Sequence, residues 1–376
     1  MSAPALVDTM EQVENSLLPP RAENNGQPVP MPLAERMAHY HVPGVSVAVV
    51  ASAQLEWARG YGTLRAGYDA PVEPDSLFHA ASLSKLVTAV TALRLVAEGT
   101  LELDHNVNHW LKRWQVPVND LTRANPVTLR RLLAHQSGIV DPEGSFEPLR
   151  EGEAFPHMVD VLAGRTRLHP GPVHVTVEAE CDFYYSDAGY CVIEQLITDA
   201  TGQRFDAVVA ERVFEPLGMA RSRYQHDAAL GGEANAACGH NPDGTPLPGC
   251  RAVYPYPAAA GLWTTPTDLV LLLIALIGSL EGESDSLLPH PLAWDMITAQ
   301  GCTDWMGLGV FVEGERRAVS IFSQGWGAGS QCQLVAYPLL GMGAVVMTNS
   351  NPGQPQHRAL TGEIMRGIGH VYGWPG

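Results

Sequence analysis

The run FHAASLSKLVTAVTALRLVAEG, residues 78–99, carries the reading of this chain. Lys85 stands three residues after Ser82, and it is one of two lysines in 376 residues, Lys112 being the other, against 21 arginines. Positions i and i+3 of a helix share a face, so the two side chains are neighbours if the segment is helical. Leu86, Val87, Val90, Leu93, Val96 and Ala97 repeat with a helical period and Gly99 supplies a stop, which predicts that helix. A serine hydroxyl becomes a useful nucleophile only beside a base, and an ammonium becomes that base only where its surroundings favour the neutral form. Apolar neighbours and the positive end of the helix dipole both push that way. The plain alternative is a helix capped by Ser82 or Ser84 with Lys85 as a solvated surface charge. A bare four-residue motif does not decide between the two.

The composition narrows the function classes. Hydrophobic residues make up 45% of the chain, enough for a sizeable core, and the length fits one large domain or two intimately packed ones. Basic residues number 23 against 40 acidic, a net charge of −17, and no basic cluster exceeds Arg130-Arg131 or Arg316-Arg317. Nucleic acid is therefore not expected as a partner. The apolar run from Leu269 to Ile277 is too short to span a bilayer and reads as a core helix, so no membrane association is expected. The opening MSAPALVDTMEQVENSLLPP has neither a basic nor an apolar leader region, which predicts a cytoplasmic protein. Cys181, Cys191, Cys238, Cys250, Cys302 and Cys332 form no Cys-x-x-Cys pair, and mostly reduced thiols are expected.

Along the chain, residues 1–30 are rich in proline and polar groups and read as an arm laid on the surface or on a partner subunit. LAERMAHYH predicts a first helix, and VSVAVV followed by ASAQLEWARGYGTL predicts a β-hairpin. From about 105 to 250 the pattern is helical and loop-rich. The final third alternates the helix TPTDLVLLLIALIGSL with the strand-like runs GLGVFVEG, RAVSIFS, QCQLVAYP and MGAVVMTN, and HRALTGEIMRGIGHVYG closes the chain as a helix. Strands, then helices, then strands predict an α+β fold: an antiparallel sheet built from both chain ends and flanked by helices, with a mostly helical domain inserted. The expected boundaries are 1–30 for the arm, 31–104 with 255–376 for the α/β domain, and 105–254 for the insertion.

Five segments, in order, carry a resemblance. They are FHAASLSKLVTAVTALRLVAEGTLELDHNV, VTLRRLLAHQSGI, FYYSDAGYCVIEQLITDATGQRFDAVVAERVFEPLGMARSRY, GLWTTPTDLVLLLIAL and FSQGWGAGSQCQLVAYP. Together they resemble the serine β-lactamase and penicillin-binding-protein superfamily, most closely its class C-like esterase and D-aminopeptidase branch, over roughly residues 31–370. The resemblance implies a β-lactamase/transpeptidase-like fold with Ser82 as the acylated nucleophile, Lys85 as its hydrogen-bonded partner and Tyr185 as general base or acid. A phenol titrates near pH 10 and serves as a base at neutral pH only beside a stabilising cation, for which Lys85 is the candidate. Asp187 stands where the family has asparagine, and a carboxylate accepts hydrogen bonds but does not donate them. Recognition of a substrate amide through that position is weakened, while Asp187 is free to pair with Lys85 and keep it charged. Ser323, Gln324 and Gly325 stand where β-lactamases carry Lys-Thr-Gly, and with no lysine there, binding of anionic lactam-type substrates is expected to be weak. By the same resemblance the backbone N–H groups of Ser82 and Trp326 form the oxyanion hole. Trp326, Trp263, Tyr254 and Tyr256 either wall an apolar acyl or aryl pocket or belong to the ordinary core.

No Gly-x-Ser-x-Gly elbow occurs, which removes the α/β-hydrolase class. His105 and His109 are spaced i, i+4 without a His-Glu-x-x-His pattern, so no metal and no cofactor are expected. His135 is expected to hold a turn. The leading expectation is a serine hydrolase that forms an acyl-enzyme at Ser82, with a small ester or amide as substrate and carboxylic esters preferred. The alternatives are a D-aminopeptidase or amidohydrolase, a weak β-lactamase, and a non-enzymatic scaffold that binds acyl compounds. A homo-oligomer joined through the N-terminal arm is a further expectation.

Overall fold

Two stretches far apart in the sequence make one sheet. The computed structural model describes residues 3–19, 29–224 and 233–375. Strands β1 (Gly44–Ala51) and β2 (Gln54–Gly62) form the predicted hairpin, β3 (Phe78–His79), β4 (Arg223–Tyr224) and β5 (Leu262–Thr264) form a small second sheet, and β6 (Phe311–Glu313), β7 (Ser320–Gly327), β8 (Ser330–Tyr337) and β9 (Met342–Thr348) complete the first. The large sheet runs β2-β1-β9-β8-β7-β6, antiparallel throughout, and the small one runs β3-β5-β4. The pairing of β1 with β9, Val45 opposite Thr348 and Val50 opposite Gly343, is where the two ends of the chain meet.

Successive strand residues face opposite sides, and β1 is buried on both. Val45, Val47 and Val49 join Ala344 and Val346 of β9 against Leu360, Ile364 and Ile368 of the closing helix Leu360–Tyr372. Ala48 and Val50 join Val345 and Met347 on the opposite face, in the main core with Leu269, Leu273 and Ile277 of helix Pro266–Glu281. An antiparallel sheet covered on both faces reads as a continuous apolar run, VSVAVV.

Several helices lie as their patterns predict, including Ser84–Ala97, capped at its far end before Gly99, and Pro266–Glu281, whose N-cap Thr265 accepts a hydrogen bond from Asp268 N–H at 3.0 Å. The described part of the arm lies on its own chain, one of the two placements expected of it, and includes a helix that was not expected. Residues Ala3–Glu14 form a helix against the closing helix, with Val13 and Leu17 buried in the same cluster as Ile364 and Ile368. The remainder of the arm, 20–28, lies outside the described residues. A buried ion pair ties helix Leu33–His39 to the closing helix: Arg36 donates to both Glu363 oxygens at 2.6 and 2.7 Å, and the Tyr40 hydroxyl donates to Oε1 at 2.7 Å.

The expectation of reduced thiols holds for Cys181, Cys191, Cys302 and Cys332 and needs correcting for one pair. Cys238 and Cys250 are joined by a disulfide. The loop between them turns back on itself, with Gly239 N–H bonded to Cys250 O at 2.8 Å, and brings together two cysteines whose 12-residue spacing carries no local signal.

Candidate active site

The turn that carries Ser82 is held by its backbone conformation and by the Ser84 hydroxyl. After β3 the chain passes through Ala81 at φ 45°, a left-handed conformation unusual for a residue with a Cβ. It then winds one 3₁₀ turn, Ala81–Leu83, into helix Ser84–Ala97. The Ser84 hydroxyl donates to Ala81 O at 2.6 Å and accepts from Leu262 N–H of β5 at 3.0 Å, pinning the turn to the small sheet. On the other side β7 comes so close that a Cβ on Gly325 would lie 2.0 Å from Ala80 O, so glycine is required there.

Ser82 is half-buried at the head of this helix, and Lys85 is 3% exposed, which rules out the solvated surface charge. The Lys85 ammonium donates to Ser82 Oγ at 3.1 Å and to Ala259 O at 2.9 Å, and it sits 2.6 Å from Asp187 Oδ1. It also lies 4.8 Å from the centroid of the Tyr185 ring. Burial by itself drives a lysine toward neutrality, but the charges of Asp187 and Tyr185 outweigh it and hold Lys85 above the usual lysine range. Of the two expectations for this amine, neutrality through apolar surroundings gives way to pairing with Asp187.

Tyr185 is held by His135. Tyr184 N–H donates to His135 O at 3.0 Å, Ser186 N–H donates to His135 Nδ1 at 3.0 Å, and the two rings stack with centroids 4.4 Å apart. Because Nδ1 accepts a hydrogen bond, the imidazole is neutral with its proton on Nε2, and burial together with the Lys85 charge holds its pKa well below the usual range. Asp141 fixes the next residues: it accepts from the Ser186 hydroxyl at 2.7 Å, from Asp187 N–H at 2.6 Å and from Ala188 N–H at 3.3 Å, at the N-terminus of helix Asp187–Thr201. Burial, opposed by these bonds, pushes its carboxyl up to about 6.

The fourth wall is the short turn Pro257–Ala260, which supplies the Ala259 carbonyl to Lys85. Each neighbouring peptide group is anchored: Glu194 accepts from Ala258 N–H at 3.1 Å, the Thr88 hydroxyl donates to Ala258 O at 2.8 Å, and His79 Nε2–H donates to Ala260 O at 2.8 Å. Glu194 is enclosed by the core and burial pushes its carboxyl up to about 8. Asp141 and Glu194 were not among the residues expected at the site. A signal for Glu194 exists in the spacing, since Asp187, Tyr190, Cys191 and Glu194 form one i, i+3, i+4, i+7 stripe and an acid on that otherwise apolar face needs a partner.

The strand residues divide by register. Gly327 opposite Ser330 closes a two-residue turn, and Trp326 is opposite Gln331. Pairs alternate between bonded and non-bonded, so Trp326 N–H points away from β8 toward the open edge of β7. Gly325 and Gly327 face the turn that carries Ser82, with the ideal Cβ of Gly327 3.3 Å from Ala81 Cβ. Ser323 is buried, Gln324 is half-buried, and the Trp326 ring is exposed, its Nε1–H donating to Asn351 Oδ1 at 2.8 Å. Trp263 and Tyr256 are enclosed rather than open to the cleft, and Tyr254 stacks on His79 at 5.0 Å while its hydroxyl accepts from Ala328 N–H at 2.9 Å.

Ser82, Lys85, Tyr185 and Asp187 thus converge where the two helix starts face the edge of β7. The chain is 30% identical over 191 residues to penicillin-binding protein 4 of Amycolatopsis lactamdurans, covering 51% of this chain and 47% of that one. It is 29% identical over 213 residues to an unguisins hydrolase of Aspergillus campestris, covering 53% and 37%. The chain spans about half or less of the length of these curated relatives. Among solved structures, the D-amino acid amidase of Ochrobactrum anthropi SV3 superposes with a TM-score of 0.73 at 20% identity, covering 97% of this chain and 99% of that one. The octameric penicillin-binding protein homologue of Pyrococcus abyssi gives 0.70 at 21%, covering 91% and 76%; at such identities the likeness is one of fold. The profile described as Beta-lactamase matches residues 33–366, and with that span the chain belongs to the beta-lactamase family.

Proposed function

We propose that the chain is a serine hydrolase that forms an acyl-enzyme on Ser82, with carboxylic esters as its preferred substrates. The observation that carries this reading is the position of Lys85, whose ammonium bridges Ser82 Oγ at 3.1 Å and the Asp187 carboxylate at 2.6 Å. A lysine kept charged by Asp187 does not take the serine proton, so we assign that role to Tyr185, whose ring centroid lies 4.8 Å from the ammonium. Tyr185 removes the Ser82 proton as Oγ attacks the carbonyl, the oxyanion is received by the N–H groups of Ser82 and Trp326, and Tyr185 returns the proton to the leaving oxygen or nitrogen. Water repeats the sequence to release the acid. Each preorganised donor to the oxyanion contributes about 3–4 kcal/mol. With Ser323 in place of a strand lysine and an acceptor-only carboxylate in place of an amide at Asp187, ester substrates gain over lactams.

A D-aminopeptidase or amidohydrolase is the second reading, favoured by the fold shared with a D-amino acid amidase. Rates on p-nitrophenyl esters, D-amino-acid amides and nitrocefin separate the two: esters are expected to turn over fastest, and faster turnover of the amides reverses the order. A scaffold that binds acyl compounds without turnover would show none of the three. Self-association through residues 1–30 belongs to the same proposal, although the helix Ala3–Glu14 packs on its own chain.

A further inference from the structure

Of the free cysteines, Cys181 and Cys302 are exposed, whereas Cys191 and Cys332 are buried. Cys181 belongs to the irregular segment that leads into Tyr185, and Cys302 to the loop between helix His290–Met296 and β6, more than 100 residues later. Gln136 holds these two segments side by side. Its backbone oxygen accepts from Glu180 N–H at 3.1 Å, and its side-chain Oε1 accepts from Cys302 N–H at 3.1 Å. The contact continues on both flanks of the cysteines. An ideal Cβ on Gly301 would lie 3.5 Å from Glu180 Cγ, and the Phe183 ring meets the Trp305 ring edge to face with centroids 4.6 Å apart. The thiols themselves are close enough for charge on Cys302 to act on Cys181. Two reachable thiols on adjoining segments, four residues ahead of Tyr185 on one side, have no part in the acyl-transfer chemistry.

We infer that Cys181 and Cys302 are a redox-sensitive pair, which a small disulfide such as oxidised glutathione converts into an intramolecular disulfide that clamps the Tyr185 segment to the loop ahead of β6. One cysteine thiolate attacks the glutathione disulfide and expels a first glutathione. The other cysteine, once deprotonated, attacks the protein sulfur of that mixed disulfide and expels a second. Two cysteine thiols are oxidised, one glutathione disulfide is reduced, and the two protons end on the released glutathione thiols. The structure shows the reduced pair. Because the segments already lie together in the folded chain, the bond restricts mainly the unfolded one, and the loop it closes is long. Desolvation and the charges of Glu178 and Glu180 hold the Cys181 thiol above its usual range, and desolvation, Asp182 and Glu180 do the same for Cys302. Arg131, paired with Glu180 at 2.9 Å, is the cation on this face. With thiolate scarce at neutral pH, the exchange quickens as pH rises.

The test incubates the protein with oxidised glutathione at about pH 8.5, maps its peptides by mass spectrometry without reduction, and measures its melting temperature by calorimetry. The expected result is a linked Cys181–Cys302 peptide in the monomer, loss of both thiols from titration in denaturant with Cys191 and Cys332 still free, and a melting temperature higher by about 3 °C or more. In Cys181→Ser and Cys302→Ser the remaining exposed cysteine should carry one glutathione, with no link and no such rise. Glutathione on both cysteines of the wild type, a link found only between two chains, or a linked monomer that melts no higher than the reduced protein overturns the inference.

Discussion

Lys85 owes its charge to Asp187. Burial alone would favour the free amine, and the carboxylate 2.6 Å away reverses that preference. Asp187→Asn removes the opposing charge, so the lysine pKa must fall and the alkaline limb of the kcat/KM profile should move to lower pH; an unmoved limb would mean that Lys85 does not titrate in the rate. Tyr185→Phe, which keeps the stack on His135 but removes the proton carrier, should lower kcat by about two to four orders of magnitude with the melting temperature nearly unchanged. Much at this scale was legible. The i, i+3 spacing pairs Ser82 with Lys85 without by itself marking a site, and Tyr185 and Asp187 enter by resemblance to a family motif. Asp141 was hidden because its partners lie 45 to 47 residues away, at the Ser186 hydroxyl and the Asp187 and Ala188 N–H groups, and the spacing that marks Glu194 does not name its partner, the Ala258 N–H 64 residues on.

Between elements, the decisive contact is β7 against the turn that carries Ser82. The closest atoms to a Cβ on Gly325 are Ala80 O at 2.0 Å and Cys332 Sγ at 2.4 Å, and the first is backbone that cannot rotate aside. Gly325→Ala should cost about 1–3 kcal/mol in urea unfolding and lower kcat as the Trp326 N–H is displaced; a variant within about 0.5 kcal/mol of wild type would show that the strand is not wedged there. The strands were readable because two-sided burial writes apolar runs, as in VSVAVV, and the long helices because their periodicity is sustained. The helix Ala3–Glu14 was not read, since proline and polar residues dominate the first 30 positions and its stability comes from docking Val13 and Leu17 on a helix more than 300 residues later. That the backbone pressed against Gly325 belongs to Ala80 was equally unreadable.

Across the whole molecule, the sheet closed by β1 and β9 holds one side of the cleft, and the inserted helices bring Tyr185 and Asp187 to it from the other. Buried carboxyls give this assembly a pH signature. Asp141, raised from 3.8 to about 6, and Glu194, raised from 4.5 to about 8, bind protons more tightly folded than unfolded. Their contribution to stability is therefore full below the unfolded values and is lost as pH rises through about 6 and then about 8. Glu194→Gln keeps an acceptor for Ala258 N–H and removes the ionisation, so the fall in melting temperature between about pH 6 and pH 9 should become shallower; an unchanged slope would place the titration elsewhere. The central claim, that this fold arms Ser82 for acyl transfer, is tested most directly by treating the protein with a fluorophosphonate and locating the adduct by peptide mass spectrometry. One adduct on Ser82, absent from Ser82→Ala and strongly slowed in Lys85→Ala and Tyr185→Phe, is the predicted result. An unlabelled Ser82, or labelling as fast in Tyr185→Phe as in wild type, would contradict it.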